Sequence, residues 1–228
     1  MTDLFAYLSE RAYPGRGILL GATPAGESLA AYFIMGRSEN SRNRVFVPEP
    51  DGIRTEAFDP AKLSDPSLII YHPVRSFGGS LIVTNGDQTD TVRDHLAAGG
   101  DFRSALMTRE FEPDAPNFTP RISGLLQADG SYELSILKSA DGDGSVCRRF
   151  FYCYGAKQNG TAHFLSTYEG FGSPIPSFSG EPVSVQTEDL TAQAYADRLW
   201  QSMNADNRIS LYVNVGGAVV MKNKNLGD

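Results

Sequence analysis

The sequence predicts an α+β fold with two antiparallel sheets as its core. Three observations lead there. Strand-like runs mostly follow other strand-like runs, helical periodicity is confined to a few segments, and Gly, Pro and Asn punctuate the intervals. This ordering disfavours a doubly wound parallel sheet, in which strands and helices alternate.

In chain order, Thr2 is placed to cap an amphipathic helix running to about Ala12, with Leu4, Phe5 and Leu8 on one face. Pro14-Gly15 ends it. Gly17–Ala22 reads as a buried strand and Leu29–Gly36 as a second, joined by the turn Thr23-Pro24-Ala25-Gly26. Polar 37–43 reads as a loop, and Val45–Val47 resumes extended structure. Ser67–Tyr71 and Leu81–Thr84 are apolar, β-rich runs separated by Gly78-Gly79. The period then changes: Asp90–Ala98 and Phe102–Phe111 have helical spacing, broken by Gly99-Gly100. Ile122–Leu126, Tyr132–Leu137, Arg148–Tyr154 and Ala162–Ser166 return to strand character. A Gly-, Ser- and Pro-rich loop covers 170–182. Asp189–Met203 is the strongest helix, with Leu190, Ala194, Leu199 and Trp200 on its expected buried face, and Ile209–Val215 is a last strand.

At 228 residues, with 41% hydrophobic and 21% charged side chains, the chain suits one large globular domain over 1–228. Twenty basic against 27 acidic residues give a net charge of −7, which argues against nucleic acid or an anionic membrane as partner. No run approaches the ~18 apolar residues of a membrane span. The first ten residues carry Asp3 and Glu10 and lack a basic, then apolar, leader pattern. With only Cys147 and Cys153, no disulfide scaffold is expected, and a cytoplasmic setting follows.

Several familiar motifs fail on spacing. Gly15-Arg16-Gly17 with Gly21 opens a strand instead of following one, unlike a dinucleotide fingerprint. Gly155–Gly160 lacks the lysine of a phosphate loop. Asp141-Gly-Asp143 starts like a calcium loop but has Val146 at its sixth position and Tyr152 at its twelfth, so it reads as a turn. His72, His95 and His163 are scattered, no metal is expected, and no GxSxG elbow exists. Thr2 suits a helix cap better than an amino-terminal nucleophile.

Four polar segments lie beside strand ends: Ser41-Arg42-Asn43-Arg44, Tyr71-His72-Pro73, Thr84–Thr91, and Glu112 followed by Asn117-Phe118-Thr119-Pro120-Arg121. Each alone has a plain structural reading. Asn85-Gly86 is a turn signal, and Thr89 or Asp90 a helix cap. Together they resemble the archaeal-type IMP cyclohydrolases. That family has an Asn-Arg pair, a strand ending in Tyr, an (S/T)NG…TDT(I/V) segment and a Glu shortly before TPRI. Here these stand as Asn43-Arg44, Tyr71, Thr84-Asn85-Gly86 with Thr89-Asp90-Thr91-Val92, Glu112 and Thr119-Pro120-Arg121-Ile122. Ser166-Thr167-Tyr168-Glu169 resembles a further family element. The departures are Gln88 where the family has His, Phe118 inserted before Thr119, and Ser41-Arg42 in place of Phe-Pro.

The resemblance implies a four-layer αββα sandwich like that of the amino-terminal nucleophile hydrolases, without their self-processing chemistry. It implies closure of 5-formamidoimidazole-4-carboxamide ribotide (FAICAR) to IMP with loss of water, the last step of purine synthesis, with no cofactor. The partner is then a small purine nucleotide, and a homo-oligomer is expected. The resemblance nominates Arg44, Tyr71 and Glu112 for catalysis: Tyr71 as donor to the formyl oxygen, Glu112 as base or amide-orienting acceptor, and Arg44 to offset developing negative charge or hold substrate. Asn43, Asn85, Gly86, Thr89, Asp90 and Thr119 are nominated for substrate contact. Asn85 offers both amide edges, Gly86 close backbone approach, and Asp90 a ribose contact. Arg42 and Arg121 are the phosphate candidates. Two other readings are an amidohydrolase acting on another small C–N substrate and a non-catalytic purine-nucleotide binder.

Overall fold

A computed structural model describes residues 1–63, 66–155, 158–170, 172–173 and 175–227. The first sheet contains β1 (Arg16–Ala22), β2 (Ser28–Met35), β10 (Thr161–Ser166), β11 (Val183–Gln186), β12 (Arg208–Val215) and β13 (Ala218–Asn223), in the order β11-β10-β1-β2-β12-β13. The second contains β3 (Val45–Glu49), β4 (Gly52–Glu56), β5 (Val74–Phe77), β6 (Ser80–Thr84), β7 (Arg121–Leu126), β8 (Tyr132–Ala140) and β9 (Asp143–Tyr154), in sequence order. All named strand pairs are antiparallel.

Side-chain alternation then sets the layers. On the first sheet Leu19, Leu29, Phe33 and Leu211 face outward onto α1 (Leu4–Ser9) and α5 (Ala192–Ser202), meeting Leu4, Leu8, Tyr195 and Leu199. Ile18, Leu20, Tyr32 and Ile34 face inward and pack on Val83, Ile122, Leu134 and Ile136 of the second sheet. The far side of that sheet presents Ile82, Leu125 and Leu137 to α3 (Gln88–Ala97) and α4 (Phe102–Met107), through Val92, Phe102 and Leu106. The order is helices, sheet, sheet, helices. On β7 a Cβ on Gly124 would lie 2.7 Å from Leu20 Cδ1 of the facing sheet, so a larger residue there would have to displace the Leu20 side chain.

The expected elements are largely present, with specific differences. Asp3, not Thr2, caps α1, accepting from Phe5 N at 2.8 Å, while Thr2 bridges to Val185. The expected loop 37–43 contains a short helix, α2 (Glu39–Arg42), capped by Ser38. Ser67–Tyr71 is not a strand. The Pro66 carbonyl accepts from Ile69 N and Ile70 N at 3.0 and 2.9 Å, closing a turn that buries Ile69 and leaves Leu68 and Ile70 half-buried. Gly78-Gly79 therefore joins β5 to β6. Helix α4 stops at Met107, short of Phe111. Strands β4, β5, β11 and β13 are additional to the sequence reading. Helix α5 buries Leu199 and Trp200 as expected and also Tyr195 and Ala196, leaving Leu190 and Ala194 half-buried. Asp141-Gly142 is the β8–β9 turn. Residues 156–157 of the Gly155–Gly160 segment, and 171 and 174 of the 170–182 loop, lie outside the described residues. Among the described residues no helix is long and apolar enough to cross a membrane.

Candidate active site

Three chain segments converge at one end of the interface between the sheets. The first is the start of β1. Gly15 has φ +80°, and a Cβ there would sit 2.2 Å from Thr167 Oγ1, so glycine lets the chain seat against the end of β10. Arg16 follows, its backbone N–H donating to Thr167 Oγ1 at 3.1 Å. The second is the exit of α2. Arg44 is 2% exposed, and its guanidinium donates from Nε to Ser41 O and from Nη2 to Ser41 Oγ, both at 3.1 Å. The third is the loop between α4 and β7, closed where Glu112 N donates to Thr119 O at 2.9 Å.

These segments line a cavity of about 360 Å³ with Arg16, Arg44, Glu112, Thr119 and Tyr168 among its walls. Arg16 Nε, Arg44 Nη1 and Asn40 Oδ1 are buried polar atoms without a hydrogen-bond partner among the described residues, and all three residues line this cavity. A buried donor left unpaired is costly. Two buried arginines with unpaired donors thus stand together at one cavity.

Burial lifts the Glu112 carboxyl to about 7, with Asp114 adding to the rise and Arg16, Arg121 and Arg44 opposing it. Its Oε1 accepts from Asn85 Nδ2 at 3.5 Å. The Arg44 guanidinium is held below its ordinary value by burial and by Arg16. Behind these groups the Tyr71 and Tyr32 hydroxyls are 2.9 Å apart. That contact uses one of their two hydroxyl protons, so the pair keeps one for a second acceptor.

Other residues nominated from the sequence are placed as follows. Thr119 lines the cavity, its hydroxyl 2.8 Å from Tyr168 Oη. Asn85 is fully engaged by Pro120 O, Glu112, Ile122 N and Gln88 Nε2. Gly86 allows Arg121 to close over it, since a Cβ would meet Arg121 Nη1 at 2.4 Å. Arg121 bonds Gln88 Oε1 and Asp87, each at 2.7 Å. Thr89 bonds Thr84 and the Gly86 carbonyl. Asp90 pairs with His72 and Arg75. Asn43 and Arg42 line a different recess: Asn43 is tied to the Asp59 backbone, and Arg42 to Gly36 O and Asn207. Of these, Asn43, Asn85, Gly86, Thr89, Asp90, Arg42 and Arg121 are not among the cavity's lining residues, and neither is Tyr71. Phe118 turns away to pack edge-on against Phe111.

Arg16, Tyr13, Arg37 and Asp114 also line the cavity, and the sequence alone does not mark them as site residues. Arg37 lies at the exposed rim, its guanidinium 4.7 Å over the Tyr13 ring. The available signal was a charged residue opening an otherwise apolar strand at Arg16. No cluster of three or more His, Cys, Asp or Glu among the described residues has metal-holding geometry.

Residues 13–218 match the family described as IMP cyclohydrolase-like protein. The chain is 30% identical over 164 residues to a protein of Methanococcus aeolicus named IMP cyclohydrolase, covering 69% of this chain and 74% of that one. A Halobacterium salinarum protein of the same name is 30% identical over 131 residues, covering 56% of this chain and 63% of the relative. A third, from Methanopyrus kandleri, is 34% identical over 115 residues, covering 49% and 57%. The match thus spans less than two thirds of the Halobacterium and Methanopyrus proteins.

Proposed function

Since the chain belongs to the IMP cyclohydrolase-like family, we propose that it is an IMP cyclohydrolase that closes FAICAR to IMP with loss of water. One observation carries the reading. A buried carboxyl that is half-ionised near neutral pH shares one cavity with two buried guanidiniums holding spare donors. The family resemblance and the helix–sheet–sheet–helix order support an amino-terminal-nucleophile-hydrolase-like sandwich. A cytoplasmic, homo-oligomeric enzyme belongs to the same proposal.

The chemistry is intramolecular, so fixing one conformer removes much of the barrier. The carboxamide nitrogen attacks the formyl carbon, forming the new C–N bond. The formyl π pair moves onto oxygen, and Glu112 takes the proton from nitrogen. The resulting carbinolamine loses its hydroxyl as water, taking a second proton overall from the formamido nitrogen, and the ring C=N forms. A base with a value near 7 suits both halves, accepting a proton at neutral pH and returning it. Arg44 offsets charge on the formyl oxygen. The Tyr71–Tyr32 pair lies behind the cavity lining and keeps one spare hydroxyl proton, which makes Tyr71 the candidate for a further donor.

For the phosphate the geometry favours Arg37 over the sequence candidates. The Arg121 guanidinium is engaged by Asp87 and Gln88, and that of Arg42 by Gly36 O and Asn207. Arg37 stands at the cavity rim with no ion pair among the described residues. Its face is held by Tyr13, which stacks on Tyr168 at 6.1 Å. A planar fork oriented by an aromatic ring suits a phosphate.

The test is incubation of the purified chain with the formamido-ribotide, without folate or ATP, following IMP formation by absorbance. Stoichiometric IMP is expected. Tight IMP binding without ring closure would make the protein a nucleotide binder, and hydrolysis of simple amides without IMP would make it an amidohydrolase.

A further inference from the structure

We infer that Arg16 is a catalytic residue of the ring closure, its guanidinium acting with that of Arg44 to receive the formyl oxygen as it becomes an alkoxide. The inference rests on the reaction proposed above and adds a residue to it.

Four observations lead here. Arg16 opens β1 of the first sheet and Arg44 immediately precedes β3 of the second, yet both line the cavity beside Glu112. Each guanidinium has an orphaned, buried N–H: Nε on Arg16 and Nη1 on Arg44. Arg44 already commits Nε and Nη2 to Ser41, which fixes its fork and leaves Nη1 as the free donor. Arg16 makes no salt bridge with a carboxylate among the described residues, although Glu112 is near enough to act on it electrostatically. Two buried cations stand beside Glu112, while the second carboxyl of the cavity, Asp114, is committed to Thr119; an oxygen gaining negative charge would balance the positive charge that remains. Such donors, fixed before the reaction and screened from water, favour a charge that develops over one already present.

The atom that gains charge can be named from the reaction. Attack on the formyl carbon makes that carbon C2 of the purine ring, and the formyl oxygen becomes its substituent. The oxygen leaves as water, so the product IMP has none at C2. Xanthosine 5′-monophosphate keeps an oxygen at C2, and its ring readily carries negative charge near neutral pH. It therefore presents an anionic oxygen where the alkoxide forms, on the same ribose phosphate as IMP.

The experiment is calorimetric binding of xanthosine monophosphate, IMP and inosine to the parent chain and to Arg16→Gln and Arg16→Lys, with thermal melts of each. In the parent, xanthosine monophosphate is expected to bind at least ~10-fold tighter than IMP, the scale of a charge-assisted hydrogen bond. Arg16→Gln should remove most of that preference while changing IMP affinity only a few-fold. Arg16→Lys should also lose it, because a point charge does not reproduce a planar guanidinium. If Arg16→Gln does not fold, the lysine variant carries the test. No preference for xanthosine monophosphate in the parent overturns the inference. So does equal weakening of it and IMP with loss of the IMP-over-inosine preference, which would assign Arg16 to the phosphate. Because binding needs no turnover, failure to close the formamido-ribotide with the xanthosine preference intact would refute the proposed activity and the catalytic role of Arg16 with it, leaving Arg16 as part of an oxyanion-binding site only. Binding of neither nucleotide would refute both.

Discussion

Glu112→Gln separates chemistry from structure because both effects follow from one buried proton. The Glu112 carboxyl is 7% exposed, and its value rises from 4.5 to about 7 on folding. At 1.36 kcal/mol per pH unit, ionising it in the folded protein costs about 3 kcal/mol more than in the unfolded chain. The folded state binds this proton more tightly than the unfolded state. Its contribution to stability is therefore complete below pH 4.5 and is lost as pH rises through about 7. Glutamine keeps the shape and cannot ionise. Urea denaturation at pH 5 should find parent and variant within about 1 kcal/mol of each other. At pH 8.5 the variant should be the more stable, by up to about 3 kcal/mol. Over the same range kcat should fall by ~10²–10⁴-fold while IMP still binds. A stability difference that does not change between pH 5 and 8.5 would refute the buried-proton argument. An unchanged kcat would remove Glu112 from the chemistry even if the stability curves behaved as expected.

Three further outcomes are expected. Tyr71→Phe leaves Tyr32 without its partner hydroxyl and should cost about 1–2 kcal/mol of stability. It should lower kcat roughly 10²-fold with KM nearly constant; a loss of activity that merely follows the melting temperature would make Tyr71 structural. Arg37→Ala should raise KM by about tenfold with kcat within a factor of two or three, as removal of uniform binding does, and steady-state kinetics showing the opposite split would dismiss Arg37 as the phosphate holder. Dialysis against a chelator should leave turnover intact; loss restored by a divalent cation would contradict the metal-free route.

How much of this could be read from the chain depends on the distance over which the deciding interaction acts. Strands such as Arg16–Ala22 and Ser28–Met35 are legible because burial on both faces leaves a near-continuous apolar run. Ser67–Tyr71 has the same local look, but Pro66 closes a turn beneath it, and hydrophobicity alone does not separate the two. The candidate site is legible at Arg44 and Glu112 only through the family resemblance. Arg16 escapes notice because its meaning arises when the end of β10 and the loop before β7 close around it. The arginines make the same point. Arg42, Arg121 and Arg37 are equivalent as letters, and which guanidinium is already occupied is decided by carbonyls and carboxylates elsewhere, such as Gly36 and Asp87.

The convergence of both sheets on one cavity has a kinetic consequence. The bond from Arg16 N to Thr167 Oγ1 joins residues 151 apart, and Thr119 meets Tyr168 across 49. Such closures must wait for most of the chain to collapse, and antiparallel sandwiches dominated by distant pairings fold slowly. The helices α3 and α4, adjacent in the chain, can form their local contacts much earlier. During refolding, helical ellipticity should therefore return ahead of turnover, and activity becomes a clock for the final docking of the two sheets.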